Sequence, residues 1–190
     1  ATAVGDATTG DTICIDPSYS GSGDTFPVAL NVTDLTVAGL GAVGDVDIPG
    51  GFFIDASGIT VTGLEFTEHS FIASSENAAV YIHNEAGQGS GTALQDTTIS
   101  YNIFTAPAGS FGANAKGVVT EIGSGATPVA DGILVTNNSF TGWNQAMFFN
   151  TASNYVVSYN DIDANNVGVA NDGPNNGSIV NNDFVGNVAE

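Results

Sequence analysis

Acidic side chains two residues apart are the first candidates for chemistry in this chain. Asp45/Asp47 and Asp161/Asp163 form two such pairs. Paired carboxylates can serve as general acid and general base on a glycosidic bond. Alternation along a strand would turn both members of a pair to the same outward side, where solvated strand residues also lie. Both interpretations stay open, and we expect solvation.

Histidines near acidic residues are the second candidates. Glu68-His69 and His83-Asn84-Glu85 could bring imidazole and carboxylate groups together. Their spacing matches no zinc framework, and no EF-hand loop is present. We therefore predict no metal site and no cofactor, although so acidic a surface would accept adventitious Ca²⁺. The expectation for both histidines is an ordinary loop position.

Cys14 is the only cysteine. A lone thiol in a secreted protein indicates either pairing between chains or an incidental small hydrophobe. We expect Cys14 to point outward beside inward-facing Ile13 and Ile15. An intermolecular disulfide between two copies would need their Cα atoms within about 7 Å.

The charge balance limits the partners. Twenty acidic residues face one base, Lys116, and the net charge is −19. Nucleic acid and anionic membrane surfaces both require clustered Lys or Arg, so neither is an expected partner. No apolar run approaches the roughly 18 residues of a membrane span, so membrane insertion is not expected. Cations, neutral glycans and proteins remain, and an extracellular or cell-surface location is expected for a chain from which any signal peptide has been removed.

These residues sit on a sequence repeat with a period of about 22 residues, which is typical of a β-solenoid. Seven segments can be aligned on one apolar residue each, which we call the anchor: Ile15, Val37, Val61, Ile99, Val135, Val157 and Ile179. The position five residues after the anchor is mostly large and apolar, as at Phe66, Phe104 and Phe140, and is Ala42 in the second segment.

Asparagine recurs three positions after the last four anchors. Asn tolerates the left-handed conformation of a sharp bend, and stacked coils would let its side chains hydrogen-bond along the axis. We therefore predict a structural ladder made by Asn102, Asn138, Asn160 and Asn182.

The segments Val135–Gly142 and Ile179–Gly186, together with the opening Gly10–Pro17, resemble repeats of the pectate-lyase-like superfamily. The resemblance implies an all-β, right-handed parallel β-helix of about seven coils, with residues 1–190 as one domain. Two coils are enlarged by loops near 67–96 and 105–131, which could serve as a binding face, as surface decoration or as a lateral contact with another subunit.

Catalytic residues of the superfamily are not matched here. A resemblance to the lyases of this superfamily implies a site with an Arg or Lys base beside clustered carboxylates. This chain has no Arg, and Lys116 stands alone. Its polygalacturonase-like hydrolases use an adjacent Asp-Asp pair, which the sequence lacks. We expect no enzyme activity. Glycan binding would require exposed aromatic platforms, and the candidates are Trp143, Tyr19, Tyr101, Tyr155 and Tyr159.

The ends of a solenoid are unpaired sheet edges that must be covered. The first apolar strand follows about a dozen Ala-, Thr- and Gly-rich residues, and no capping segment is expected after the last coil. We predict docking ends at Ile13 and Ile15 and at Ile179 and Val180. The predicted function is a self-assembling structural protein of an extracellular sheath, fibre or surface layer. The alternative is a secreted carbohydrate-binding or carbohydrate-processing β-helix.

Overall fold

The computed structural model describes residues 2–73, 76–83, 93–110, 114–120, 130–172 and 176–189, with the main chain alone at residues 2, 71–73 and 76. One short helix, α1 (Thr2–Asp6), precedes a chain of short strands. No helix in these ranges is long and apolar enough to cross a membrane. The strands are β1 Thr12–Ile15, β2 Val28–Leu30, β3 Thr36–Gly39, β4 Asp47–Ile48, β5 Phe52–Ile54, β6 Thr60–Thr62, β7 Glu65–Phe66, β8 Ser70–Ala73, β9 Glu76–Ile82, β10 Leu94–Gln95, β11 Thr98–Ser100, β12 Ile103–Thr105, β13 Ala115–Thr120, β14 Ala130–Asp131, β15 Leu134–Thr136, β16 Ser139–Thr141, β17 Gln145–Asn150, β18 Ala152–Ser153, β19 Val156–Ser158, β20 Asp161–Asp163, β21 Val167–Asp172, β22 Ser178–Val180 and β23 Asp183–Val185.

The strands form four sheets that the chain visits in turn. Sheet I has the order β1-β3-β6-β11-β15-β19-β22, and sheet II the order β2-β5-β9-β13-β17-β21. Sheet III runs β4-β7-β12-β16-β20-β23, and sheet IV is the short β10-β14-β18. Neighbours along each of these orders are parallel, whereas β8 pairs antiparallel with β9. The protein is all-β with parallel sheets, an arrangement consistent with a β-solenoid.

The register of sheet I corrects the predicted alignment of the first strand. Ile13 pairs with Val37, and Ile15 pairs with Gly39, so the match of Ile15 with Val37 is wrong by two residues. A slip of one residue exchanges the two faces of a strand, but a slip of two residues preserves them. Apolar alternation therefore could not separate the two alignments.

The later anchors form one buried column along sheet I. Val37, Val61, Ile99, Val135 and Val157 are each at most 2% exposed. Each pairs directly with the next, and Val157 pairs with Ile179. This column is the apolar wall that holds sheet I against the core.

Stacked phenylalanines fill the inner side of sheet III. The rings of Phe66 and Phe104 lie 4.9 Å apart and those of Phe104 and Phe140 lie 4.5 Å apart, nearly parallel in both cases. Ile48 pairs with Phe66, so the alignment of Ala42 with this column is wrong. The chain makes an additional turn between β3 and β4, closed by the Asp45 N–H bonding to the carbonyl of Ala42. That turn lengthens this connection beyond the repeat.

Small residues on sheet II make room for the phenylalanine stack. The pairs on either side of Gly117 place it beside Ala146. A Cβ on Gly117 would lie 2.8 Å from the Phe140 ring, and a Cβ on Gly168 would lie 2.8 Å from the Phe184 ring. Large side chains on one sheet thus face small ones on the other, which is how a narrow core reaches native packing density.

Candidate functional site

The carboxylate pairs lie at the surface and serve local structure. Asp45 Oδ2 accepts the N–H of Ala42 at 2.7 Å, and Asp47 Oδ1 accepts the hydroxyl of Thr67 at 2.6 Å. Asp47 pairs across strands with Glu65, where burial and then the charge of Asp47 raise the pKa of Glu65. Partial burial beside a like charge is enough to explain the raised pKa of Glu65, so this shift does not indicate a catalytic acid.

The second pair is on β20, where Asp161 and Asp163 flank the fully buried Ile162. Both therefore face outward, as strand alternation predicts. Asp161 is aligned with Asp183 on β23.

The histidines pack against aromatic rings. The His83 ring lies 5.3 Å from that of Tyr81 and 5.1 Å from that of Phe53, while the His69 ring lies 6.4 Å from Trp143. Asn84 and Glu85 of the proposed cluster lie outside the described residues. Within the described ranges, no three His, Cys, Asp or Glu side chains are grouped as metal ligands would be.

Lys116, the only basic residue, lies on a second apolar cluster outside the main core. It is 2% exposed, and its Nζ stands 5.6 Å from the centre of the Phe148 ring. Burial lowers its pKa to about 8. Ala78, Tyr81 and Val119 are the buried members of the same cluster. A buried cation over an aromatic ring contributes to packing here, and sequence alone suggested only an isolated loop lysine.

The candidate aromatic platforms divide into two groups. Trp143 is fully buried and donates its indole N–H to the carbonyl of Phe104 at 3.0 Å, and Tyr155 is 4% exposed. These two are therefore not surface platforms. Tyr19 is half-buried and donates its hydroxyl to Asp24 at 2.7 Å, and burial and this bond raise its pKa to about 12. Tyr101 and Tyr159 are 54% and 61% exposed.

The four predicted asparagines lie in one row beside the core. Asn102 Nδ2 donates to Asn138 Oδ1 at 3.1 Å, Asn138 Nδ2 donates to Asn160 Oδ1 at 3.0 Å, and Asn160 Nδ2 donates to Asn182 Oδ1 at 2.9 Å. The main-chain N–H of each preceding asparagine donates to the same Oδ1. Each side-chain amide therefore supplies the acceptor that the buried main-chain N–H of the preceding asparagine needs.

A second asparagine row was missed by the sequence analysis. Asn165 Oδ1 accepts the N–H of Trp143 at 2.9 Å, and Asn187 Oδ1 accepts both the N–H at 2.9 Å and the Nδ2 of Asn165 at 3.0 Å. The sequence does contain a sign of this second row, because Asn160 and Asn182 are each followed by another asparagine five residues later. In the preceding segment a tryptophan occupies that position, which concealed the repeat.

The amino-proximal end of the sheets carries an apolar pocket of about 360 Å³. Ile13, Ile15, Val28, Leu30 and Phe52 are among its lining residues. Helix α1 covers part of this end through Val4, which is 8% exposed and packs in the main core.

Cys14 lies on β1 at the same end, where it is exposed and not in a disulfide. Its strand neighbour is Ala38 on β3. In sheet I, β1 is the outermost strand, with its other edge free of the described strands.

The opposite end of the sheets exposes apolar side chains. Ile179 and Val180 of β22 are both 44% exposed, Val185 is 50% exposed and Val188 is 77% exposed. Ile179 continues the otherwise buried column of anchors, so its exposure comes from its place at the end and not from an outward orientation. None of the described residues covers these apolar side chains at this end of the sheets.

Comparison of the chain with family models, with curated proteins and with solved structures gives no match.

Proposed function

We propose that residues 1–190 form one right-handed parallel β-helix of about seven coils, as in the pectate-lyase-like superfamily. The seven strands of sheet I and the repeated visits to sheets I, III and II support this proposal. The hand follows from the general preference of parallel crossover connections for a right-handed path.

On this fold we propose a structural function: the chain is a subunit that assembles end to end into a sheath, fibre or surface layer outside the cell. The observation that carries the proposal is that β1 and β22 are the outermost strands of sheet I, each with one edge free of the other described strands. Ile179 and Val180 on β22 are exposed, and the half-buried Ile13 and Ile15 on β1 line the apolar pocket at the other end. Parallel addition of one copy's β1 to another copy's β22 would extend sheet I and cover both apolar ends. Because the two surfaces differ, such a contact propagates from copy to copy.

The main-chain groups at the two edges are complementary. Ser178 donates its N–H to Tyr155, so alternation directs the N–H and C=O of Ile179 to the open edge of β22. At the other end, Asp11, just before β1, and Ile15, its last residue, accept the N–H groups of Thr36 and Leu40, so alternation directs the main-chain groups of Thr12 and Cys14 to the open edge. Continuing the register of the sheet would pair Ser178 with Thr12 and Val180 with Cys14 of the next copy.

This alignment changes the expected role of Cys14. In an end-to-end contact each Cys14 would lie beside the Val180 of its neighbour, about 4.8 Å away, and far from the neighbour's own Cys14. A disulfide between two Cys14 residues would require a different, two-fold contact. The proposed assembly is therefore held by strand pairing and apolar burial and not by the native thiol.

A designed crosslink tests the docking. Val180→Cys would place a thiol opposite Cys14 of the next copy, within the Cα distance that a disulfide accepts. Mild oxidation should then give a ladder of covalent oligomers on electrophoresis that reductant removes. Thr136→Cys is the matched control, because it lies in the same outward column of sheet I but four strands away from β1.

Two results would contradict the proposal. If Val180→Cys crosslinks no more than Thr136→Cys, the ends do not meet. If the unmodified chain already forms a reductant-sensitive dimer, Cys14 lies at a two-fold contact and the head-to-tail geometry is wrong.

A second control removes the native thiol. Combining Cys14→Ser with Val180→Cys should abolish the ladder of covalent oligomers.

The proposal includes no catalytic role and no cofactor, and its principal partner is a second copy of the chain. Association by strand pairing and apolar contact requires no basic side chains, so it is compatible with a chain that has 20 acidic residues and one Lys. An extracellular or cell-surface location is part of the same proposal.

A further inference from the structure

One corner of the structure repeats a left-handed backbone conformation along the axis. The position immediately after each of five successive sheet I strands has a φ between 54° and 71°. Its occupants are Gly63, Tyr101, Asn137, Tyr159 and Asn181, and we name this set the corner row.

Tyrosine is an unexpected residue in this row. Glycine adopts a positive φ freely and asparagine does so with little penalty, but a bulky side chain there is uncommon and strained. Tyr101 and Tyr159 are 54% and 61% exposed, so burial does not offset the strain. Strained residues that the packing does not require are found preferentially at functional sites.

The two tyrosines stand on the same side of the protein with one coil between them. Ser100 pairs with Thr136 and Thr136 with Ser158, so the residues that follow, Tyr101 and Tyr159, are two strand spacings apart. At about 4.8 Å per strand this is about 10 Å along the axis. Asn137, also exposed, lies between them; its Nδ2 donates one hydrogen bond to Thr136 Oγ1 at 3.0 Å, and its side-chain amide adds a polar group to the same surface.

Two exposed aromatic side chains at this spacing, with an amide between them, suit an extended sugar chain. Pyranose rings stack their C–H faces on tyrosine, and hydroxyl groups hydrogen-bond to amides. The two-strand separation is comparable with the length of a disaccharide unit in an extended β-linked chain. A net charge of −19, with the single Lys buried, would repel an acidic polysaccharide and leaves a neutral one.

We propose that Tyr101 and Tyr159 form a binding platform for a neutral, extended, β-linked glycan that runs along the corner row. The platform lies on the side of the molecule, apart from the ends assigned to self-association. It would allow an assembled layer to hold a polysaccharide along its flank.

The test is isothermal titration of the full chain with cellohexaose and with the hexamer of N-acetylglucosamine. We expect at least one of these neutral hexasaccharides to bind. Tyr101→Asn and Tyr159→Asn should each weaken that binding about tenfold, and the double variant should remove it. Thr105→Ala, an exposed change on sheet III, is the control and should bind like the wild type.

A thermal measurement separates binding from structure. Because Asn suits the positive φ at which Tyr is strained, the double variant should melt at the same temperature as the wild type or higher. The proposal is overturned if neither hexasaccharide binds, if the double variant binds like the wild type, or if it melts several degrees lower. The last result would make the tyrosines structural.

Discussion

Replacing Asn138, an inner member of the asparagine row, should lower the stability of this protein substantially. Its side chain makes five hydrogen bonds although the residue is only 3% exposed. Oδ1 accepts the main-chain N–H of Asn102 at 2.9 Å and its Nδ2 at 3.1 Å. Nδ2 donates to the carbonyls of Ile99 and Thr136 and to Asn160 Oδ1. Asn138→Ala removes all five at once.

The expected loss follows from which groups are left without a partner. Asn102 Nδ2 retains its bond to the carbonyl of Val61, but the main-chain N–H of Asn102 loses the acceptor it has in the native row. Stranding one buried donor costs about 1–3 kcal/mol, and each of the other bonds contributes about 1 kcal/mol or less. We expect the free energy of unfolding to fall by about 3–5 kcal/mol, a large part of the stability of a domain.

Urea unfolding followed by the fluorescence of Trp143 measures this directly, because Trp143 is the only tryptophan and is fully buried. The dependence of the unfolding free energy on urea concentration should be compared between variants, because a change in that slope would show that unfolding is not a single step. Asn166→Ala is the matched control: Asn166 is half-buried, and its Nδ2 donates to Asn144 Oδ1 at 2.9 Å. The control should lose about 1 kcal/mol.

Asn138→Asp separates the hydrogen bonds from the volume of the side chain. The carboxylate keeps the acceptor for Asn102 but would face the carbonyls of Ile99 and Thr136. Those neighbours should raise the pKa of the new acid in the folded state. Its stability should therefore be highest at low pH and fall as pH rises above the unfolded pKa. If Asn138→Ala costs no more than Asn166→Ala, the asparagine row is not a main source of stability.

Two further changes test the core. Thr97 is 1% exposed, and its Oγ1 has no hydrogen-bond partner among the described residues. Thr97→Val should therefore raise the free energy of unfolding by about 1 kcal/mol. Thr120→Val breaks the hydrogen bonds between Thr120 and the main chain of Asn150, so it should lower the free energy of unfolding in the same urea titration. An increase in the free energy of unfolding of Thr120→Val would refute the claim that the hydrogen bonds of Thr120 stabilise the fold. Because burial depresses the pKa of Lys116 to about 8, the unfolded chain binds the extra proton, and the wild type should gain stability as pH rises from about 8 toward 10. Lys116→Met should lack that gain, and parallel slopes for the two proteins between pH 7.5 and 9.5 would contradict the assignment.

The sequence predicted the parts of this protein that depend on local pattern. Strand alternation and the 22-residue repeat gave the parallel all-β class and the later anchors, because inward residues must be apolar in every coil. The asparagine row was also visible, since one residue type at one position of the repeat indicates a shared bend. The first strand was misaligned because Ile13 and Ile15 share a face and either one satisfies the apolar pattern.

The tertiary structure decided what depends on neighbours that are distant in the sequence. Trp143 and Tyr159 are both aromatic residues near bends, yet one is fully buried and the other is 61% exposed, because burial is set by the residues that the neighbouring strands bring alongside. Sequence likewise gave no sign that the only Lys would be buried over an aromatic ring. Local alternation determines which way a side chain points, but only the pairing of strands that are distant in the sequence determines which side chains it contacts there.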